Sequence, residues 1–144
     1  MTGENKKQNL AVEIEKSTAS LRAAELCLAA GLFDDAVSRA YYAAYHMAQA
    51  LAFSEGLEAR THGGLHDLVY LTFVRTGRLA AEVAKDFAAL QRFRESADYA
   101  RAFHFDQAQA NEEVERARAL CRAMRALLVA GGWTTTPEPE KSKP

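Results

Sequence analysis

Proline is almost missing from this 144-residue chain: there are three, all within the last eight positions. Proline is what most often interrupts a helix interior, so nothing before residue 137 breaks a helix on that account. Glycine is scarce as well, at eight, and the two shortages favour an all-α fold before any pattern is read. Cysteine is limited to Cys27 and Cys121, in separate helical patterns with no Cys or His at metal-ligand spacing. They read as small buried hydrophobes in a reducing compartment, and neither a metal nor a cofactor is expected. No run approaches the roughly 18 apolar residues of a membrane span, and Met1–Leu10 is polar rather than a basic stretch leading into an apolar one. A cytoplasmic protein with no membrane partner is the expectation. Charge of one sign is lacking too: 18 Lys and Arg against 19 Asp and Glu give −1, so no global basic field draws nucleic acid to the surface.

What is present is helix-forming material. Hydrophobic residues make up 49%, enough for one core and too little chain for two comfortable domains. Apolar residues recur at helical spacing from about Gln8 to Ala30 (Leu10, Ile14, Leu21, Leu28), with Gly31 as the stop. A second, alanine-rich helix is predicted from Phe33 to Ser54, ending before Gly56. Thr61 is a candidate cap for a short third stripe, Leu65, Leu68, Val69 and Phe73, that ends at Gly77. A fourth helix runs from about Leu79 through Val83, Phe87 and Leu90 to about Ala102. Asp106 then caps a fifth, Gln107–Ala130, with Val114, Leu120, Met124 and Leu127 inward. Short connections imply an up-and-down helical bundle of about five helices. Residues 1–7 are expected to be a flexible N-terminus, 8–131 the bundle and 132–144 a disordered tail. Alanine-rich faces pack best helix to helix, which makes a homodimer plausible on packing grounds.

Polar residues break the pattern at three places. On the second helix Arg39, Tyr42, Ala43 and His46 fall at steps of three and four, so a guanidinium, a phenol and an imidazole share one side. They fit the polar edge of an aromatic packing face, the reading that spacing alone favours, and also a phosphate-binding Arg beside a general acid or base. On the fourth helix the apolar stripe, extended by its own period, lands on Arg94, Ala97 and Asp98, and Arg101. Charge in that position is an ion pair that fixes packing or a polar cleft kept for a ligand. The loop Arg60–His66 contains Gly63 and Gly64 beside His62, a capping turn that could also meet an anion. His66 and His104 read as surface residues without partners. Arg116, Arg118, Arg122 and Arg125, alternating with Ala and Leu, read as a solvated helix face.

These segments resemble the HEPN proteins, in particular short stand-alone bacterial and archaeal members. The words that carry the resemblance are Ser38-Arg39-Ala40-Tyr41-Tyr42-Ala43-Ala44-Tyr45-His46, Thr61-His62-Gly63-Gly64, Val74-Arg75-Thr76-Gly77, and Arg94 through Asp98-Tyr99, within a span from about Leu21 to Leu128. It implies a helical bundle that dimerises and acts on RNA or nucleotides, in many members as a metal-independent endoribonuclease toxin beside a nucleotidyltransferase-like antitoxin. The family's active motif is an Arg followed, after four to six residues, by a His. The resemblance puts that motif at Arg94, where Asp98 and Tyr99 stand in place of the His and His104 is too far along. Arg39 and His46 satisfy the spacing on an earlier helix. The residues expected at a catalytic site are therefore Arg39, His46, His62 and Arg94, with Tyr42, Asp98, Tyr99 and Arg101 binding nucleotide or RNA. A non-catalytic nucleotide- or partner-binding module is the alternative.

Overall fold

The computed structural model describes residues 3–99 and 104–134. Among them are five α-helices and no strand: α1 (Gly3–Ala29), α2 (Phe33–Ser54), α3 (His62–Val69), α4 (Ala81–Tyr99) and α5 (Gln107–Ala130). α2 and α5 have the bounds the sequence predicts. α1 begins at Gly3 rather than near Gln8, extending as a polar turn ahead of Leu10, which anchors the core.

The bundle is organised around α2, which packs on α1 most extensively and then on α5 and α4. Its alanines make this possible. Ala36, Ala40, Ala43, Ala44, Ala48, Ala50 and Ala52 are all fully buried, so neighbouring helices approach with little side chain between them. Larger residues fill the layers beyond, chiefly Leu10, Tyr41, Met47, Leu51, Phe73, Phe87, Leu90, Met124 and Leu128. Burying each such side chain is worth about 1.5–3 kcal/mol. A satellite cluster of Val37, Phe105 and Ala110 closes one end, where Asp34 accepts from the Phe105 backbone N–H at 2.9 Å.

Helix ends follow local chemistry. Gly31 has φ +78° and Gly77 φ +83°, a left-handed conformation that costs glycine nothing. Asp106 and Gln109 form a reciprocal capping box at the start of α5, with bonds of 2.8 and 3.0 Å. α3 departs from the expected single helix. After Val69 it widens into a π-helical segment, Tyr70–Val74, in which Arg75 N–H reaches back to the Tyr70 carbonyl at 2.8 Å. The extra residue keeps Phe73 buried beneath Leu65 and Val69 while turning Tyr70 and Leu71 outward, 48% and 47% exposed.

The predicted solvated face of α5 is corrected in part. Arg118 and Arg125 are buried, at 7% and 5% exposure, because α5 is flanked by α1 as well as α2 and α4. Arg118 bridges Glu25 of α1 and Glu115, both at 3.4 Å. Arg125 donates to Thr18 at 3.0 Å. Arg116 is held by Glu113, Asp86 and Glu112 at 2.9, 3.1 and 3.5 Å, and Arg122 alone of the four is exposed. Cys121 is buried and Cys27 partly buried; neither is in a disulfide, and both pack on the core.

Candidate functional site

Over about two turns, from Arg39 to His46, α2 carries aromatic and basic residues, of which Tyr41, Tyr42 and Tyr45 meet α3 and α4. Tyr41 is fully buried because its position continues the alanine stripe, while Tyr42, Tyr45 and His46 are only partly buried at the stripe's edge. The three tyrosine rings pack on one another with centroids 5.4–6.2 Å apart. α3 enters this wall through its first residue. Thr61 caps the helix by accepting from Gly64 N–H at 2.9 Å, and that turn sets His62 against the Tyr45 ring at 4.8 Å. Its Nδ1 lies 2.7 Å from the Tyr41 hydroxyl.

The protonation of that pair follows from burial. Desolvation pushes the Tyr41 phenol well above its ordinary range, with Arg94 opposing, so the hydroxyl keeps its proton. Desolvation, and then the Arg94 charge, hold His62 below the ordinary imidazole range. A buried hydroxyl needs an acceptor; Nδ1 of a neutral His62 supplies one, which leaves the ring proton on Nε2. His66, one turn on, was expected at the surface without a partner. Instead it stacks on Phe87 with centroids 3.8 Å apart and parallels Tyr41 at 6.4 Å. Burial, with His62 adding to it, drives its pKa down to about 4, and its Nε2 is buried without a hydrogen-bond partner.

Arg94 comes from α4. The apolar stripe Val83, Phe87, Leu90 does continue to it, and its side chain is 9% exposed. Its guanidinium lies 5.3, 5.7 and 5.9 Å from the ring centroids of Tyr41, Tyr42 and Tyr99, and Asp98 accepts from Nη1 at 3.3 Å. Burial works against its charge, but the hydrogen bond to Tyr99 and the neighbouring Tyr42 and Asp98 outweigh it and raise its pKa. Nε is buried and unpaired.

Arg39 is exposed and lies over the other approach to Tyr42, 4.9 Å from its centroid. His46 packs against Tyr45 and Tyr42 at 5.3 and 6.4 Å. The fold thus joins Arg39, Tyr42, His46, His62, Arg94, Asp98 and Tyr99 through one aromatic cluster drawn from three helices. Arg101 lies outside the described residues. His104, at 77% exposure, is a surface residue as expected but has a partner, Asp34 at 2.8 Å.

Three participants were missed by reading the sequence: Tyr41, His66 and Glu13. Tyr41 lies off the face shared by Arg39, Tyr42 and His46, and its burial conceals a hydroxyl bonded to His62. His66 sits one turn after His62, a spacing that does signal a shared face. Glu13 reaches His46 Nδ1 from α1 at 2.7 Å, a contact across 33 residues that nothing in local spacing foretells. Among the described residues no group of three or more His, Cys, Asp or Glu side chains could hold a metal ion, and no helix is long and apolar enough to cross a membrane.

Comparison with known proteins agrees with this architecture. A family model described as "HEPN domain" matches residues 12–127. A Methanocaldococcus jannaschii protein named "Putative toxin MJ0142" is 30% identical over 65% of this chain and 63% of its own length. A second from the same organism, "Putative toxin MJ0605", is 34% identical over 60% of this chain and 64% of its length. The chain therefore spans just under two thirds of either. A Thermotoga maritima "UPF0332 protein" is 27% identical over 73% of this chain and 80% of its own. In three dimensions the crystal structure of TT1696 from Thermus thermophilus superposes with a TM-score of 0.71 at 18% identity, covering 81% of this chain and 96% of that one, a likeness of fold. With the match running through all five helices, the chain belongs to the HEPN domain family.

Proposed function

We propose that this chain is the RNA-cleaving toxin component of a toxin–antitoxin pair, a cytoplasmic endoribonuclease that needs no metal. The observation that carries the proposal is Arg94: a guanidinium nine-tenths buried under tyrosine rings, with an unpaired Nε, in the same cluster as two imidazoles. A buried cation with a donor left over is costly unless something completes its hydrogen bonds, and a phosphate oxygen does so. Tyr99, at the end of α4, is 73% exposed, so this edge of the cluster faces solvent.

In this reading His46 takes the proton of an RNA 2′-hydroxyl, and the 2′-oxygen attacks the adjacent phosphorus. Arg94 and the Nε2–H of neutral His62 stabilise the charge that builds on the phosphoryl oxygens. The bond to the 5′-oxygen breaks as that oxygen takes the proton back from the His46 imidazolium. The products are a 2′,3′-cyclic phosphate and a 5′-hydroxyl. Asp98 holds Arg94 in place, Tyr42 and Tyr99 supply ring faces for bases, and Arg39 and Arg101 contact flanking phosphates. The "toxin" names of two relatives support the biological half of the proposal. They also fit an antitoxin as partner; that it is nucleotidyltransferase-like, and that the chain forms a homodimer, belong to the proposal through the family resemblance.

A second reading, a nucleotide- or partner-binding module that breaks no bond, draws support from Asp98. It stands where the family's motif has its His and already neutralises Arg94. Incubating the purified protein with single-stranded RNA in EDTA separates the two. Cleavage that His46→Ala and Arg94→Ala each reduce at least about 100-fold supports the ribonuclease. Retention of intact RNA, with binding lost in Arg94→Ala, supports the module instead.

A further inference from the structure

Glu13 lies on α1, outside every motif that led to the site, and its carboxylate Oε2 is 2.7 Å from Nδ1 of His46. Both side chains are largely buried, at 16% and 20% exposure, so the pair is only weakly screened by solvent. The position of Glu13 is fixed from below. Four residues on, Ser17 is 2% exposed and donates to the Ala43 carbonyl at 2.7 Å, which locks the register of α1 against α2 within one turn of His46. The His46 ring is braced on its other sides by Tyr42 and Tyr45.

We infer that Glu13 is a positioning residue: in the neutral ring it holds His46 in the Nδ1–H tautomer, the form that leaves Nε2 as the unprotonated nitrogen. An ionised carboxylate can only accept, so the 2.7 Å contact requires the proton on Nδ1. The opposite tautomer, with the proton on Nε2, would leave Nδ1 as the only basic nitrogen, and Nδ1 is the one that faces Glu13. The Tyr41 hydroxyl does the reverse at His62, where Nδ1 accepts and Nε2 carries the proton. The two imidazoles of one aromatic cluster are thereby set in complementary states, one with a lone pair at Nε2 and one with a donor there. The tautomer assignment stands on this geometry alone; its catalytic consequence rests on the proposed RNA cleavage.

The test has two independent arms. Nitrogen-15 NMR of the ring nitrogens is expected to show His46 as the Nδ1–H tautomer in the parent and a shift toward Nε2–H in Glu13→Ala. Glu13→Gln, which keeps an acceptor oxygen at the same reach, is expected to retain the parent signature. In the RNA assay Glu13→Ala should lower kcat by about 100-fold with KM within about twofold, while Glu13→Gln stays within about tenfold of the parent. Thermal unfolding of each variant confirms that only folded protein is compared. A parent spectrum with the proton on Nε2, or an unchanged tautomer in Glu13→Ala, overturns the inference. So does a tautomer switch that leaves kcat unaltered in an active enzyme, because Glu13 would then be only a clasp between α1 and α2. If the parent cleaves no RNA, the proposed function falls while the NMR arm still decides what Glu13 does.

Discussion

Two buried arginines stand on neighbouring helices of this bundle and have been given opposite surroundings. Arg118 of α5, 8% exposed at its side chain, meets two carboxylates, Glu25 and Glu115. Arg94 of α4, at 9%, meets one carboxylate and three tyrosine rings. Each leaves one guanidinium nitrogen unpaired, Nη2 in Arg118 and Nε in Arg94, so the contrast lies in the counter-charge. Where two acids surround the cation, another anion gains little, and the group ties α5 to α1. Where aromatic faces take the place of the second acid, positive potential remains, and it sits beside histidines whose protonation the fold controls. Burial of an arginine is thus no guide to its role until its partners are counted.

The largest effect expected from breaking this contrast is on catalysis. Arg94→Ala should cut RNA cleavage by about 1,000-fold, while Arg118→Ala leaves the rate per folded molecule within about twofold. Chemical denaturation should show the reverse order of stability loss, about 3 kcal/mol for Arg118→Ala, which leaves the largely buried Glu25 without its cation, and less for Arg94→Ala. Equal stability losses with equal retention of activity would erase the distinction.

An intermediate effect sharpens the aromatic side of the comparison through pH. His66 has its folded pKa lowered to about 4, against about 6.5 in an unfolded chain. A histidine with a depressed folded pKa contributes stability that is complete above pH 6.5 and declines as pH falls toward 4, because the unfolded state takes up the proton first. Unfolding free energy should therefore drop by about 2 kcal/mol across that window. A His66→Leu variant, measured by urea denaturation from pH 7.5 to 4, should have a flatter slope. A slope identical to the parent's would mean that His66 titrates normally. The smallest effect concerns α3, whose first residue is His62. Thr61→Ala should cost about 1 kcal/mol by freeing Gly64 N–H, and it should slow cleavage severalfold if that cap is what seats His62.

Helix limits and the polar breaks were legible because both are local. Gly31 and Gly77 terminate helices by backbone conformation, Asp106 caps by its own side chain, and Arg94 with Asp98 meets at one helical turn. Periodicity also says which face of a helix is apolar. It does not say which neighbour covers that face, or whether two helices flank it. That is why Arg118 and Arg125 were placed in solvent, His66 was left without the Phe87 ring, and Glu13 was passed over. The π-helical widening at Tyr70–Val74 escaped for a related reason: a stripe of Leu65, Val69 and Phe73 fits an ordinary helix, and only the packed structure decides that an extra residue is inserted.

The central claim is that the Arg94 cluster breaks RNA by way of the 2′-hydroxyl. It is tested most directly by offering the purified protein, in EDTA, a single-stranded RNA beside its 2′-O-methyl counterpart. The account predicts that the RNA is cut to fragments ending in a 2′,3′-cyclic phosphate while the methylated strand is bound but left whole. Cleavage of both strands, or of neither, would contradict it.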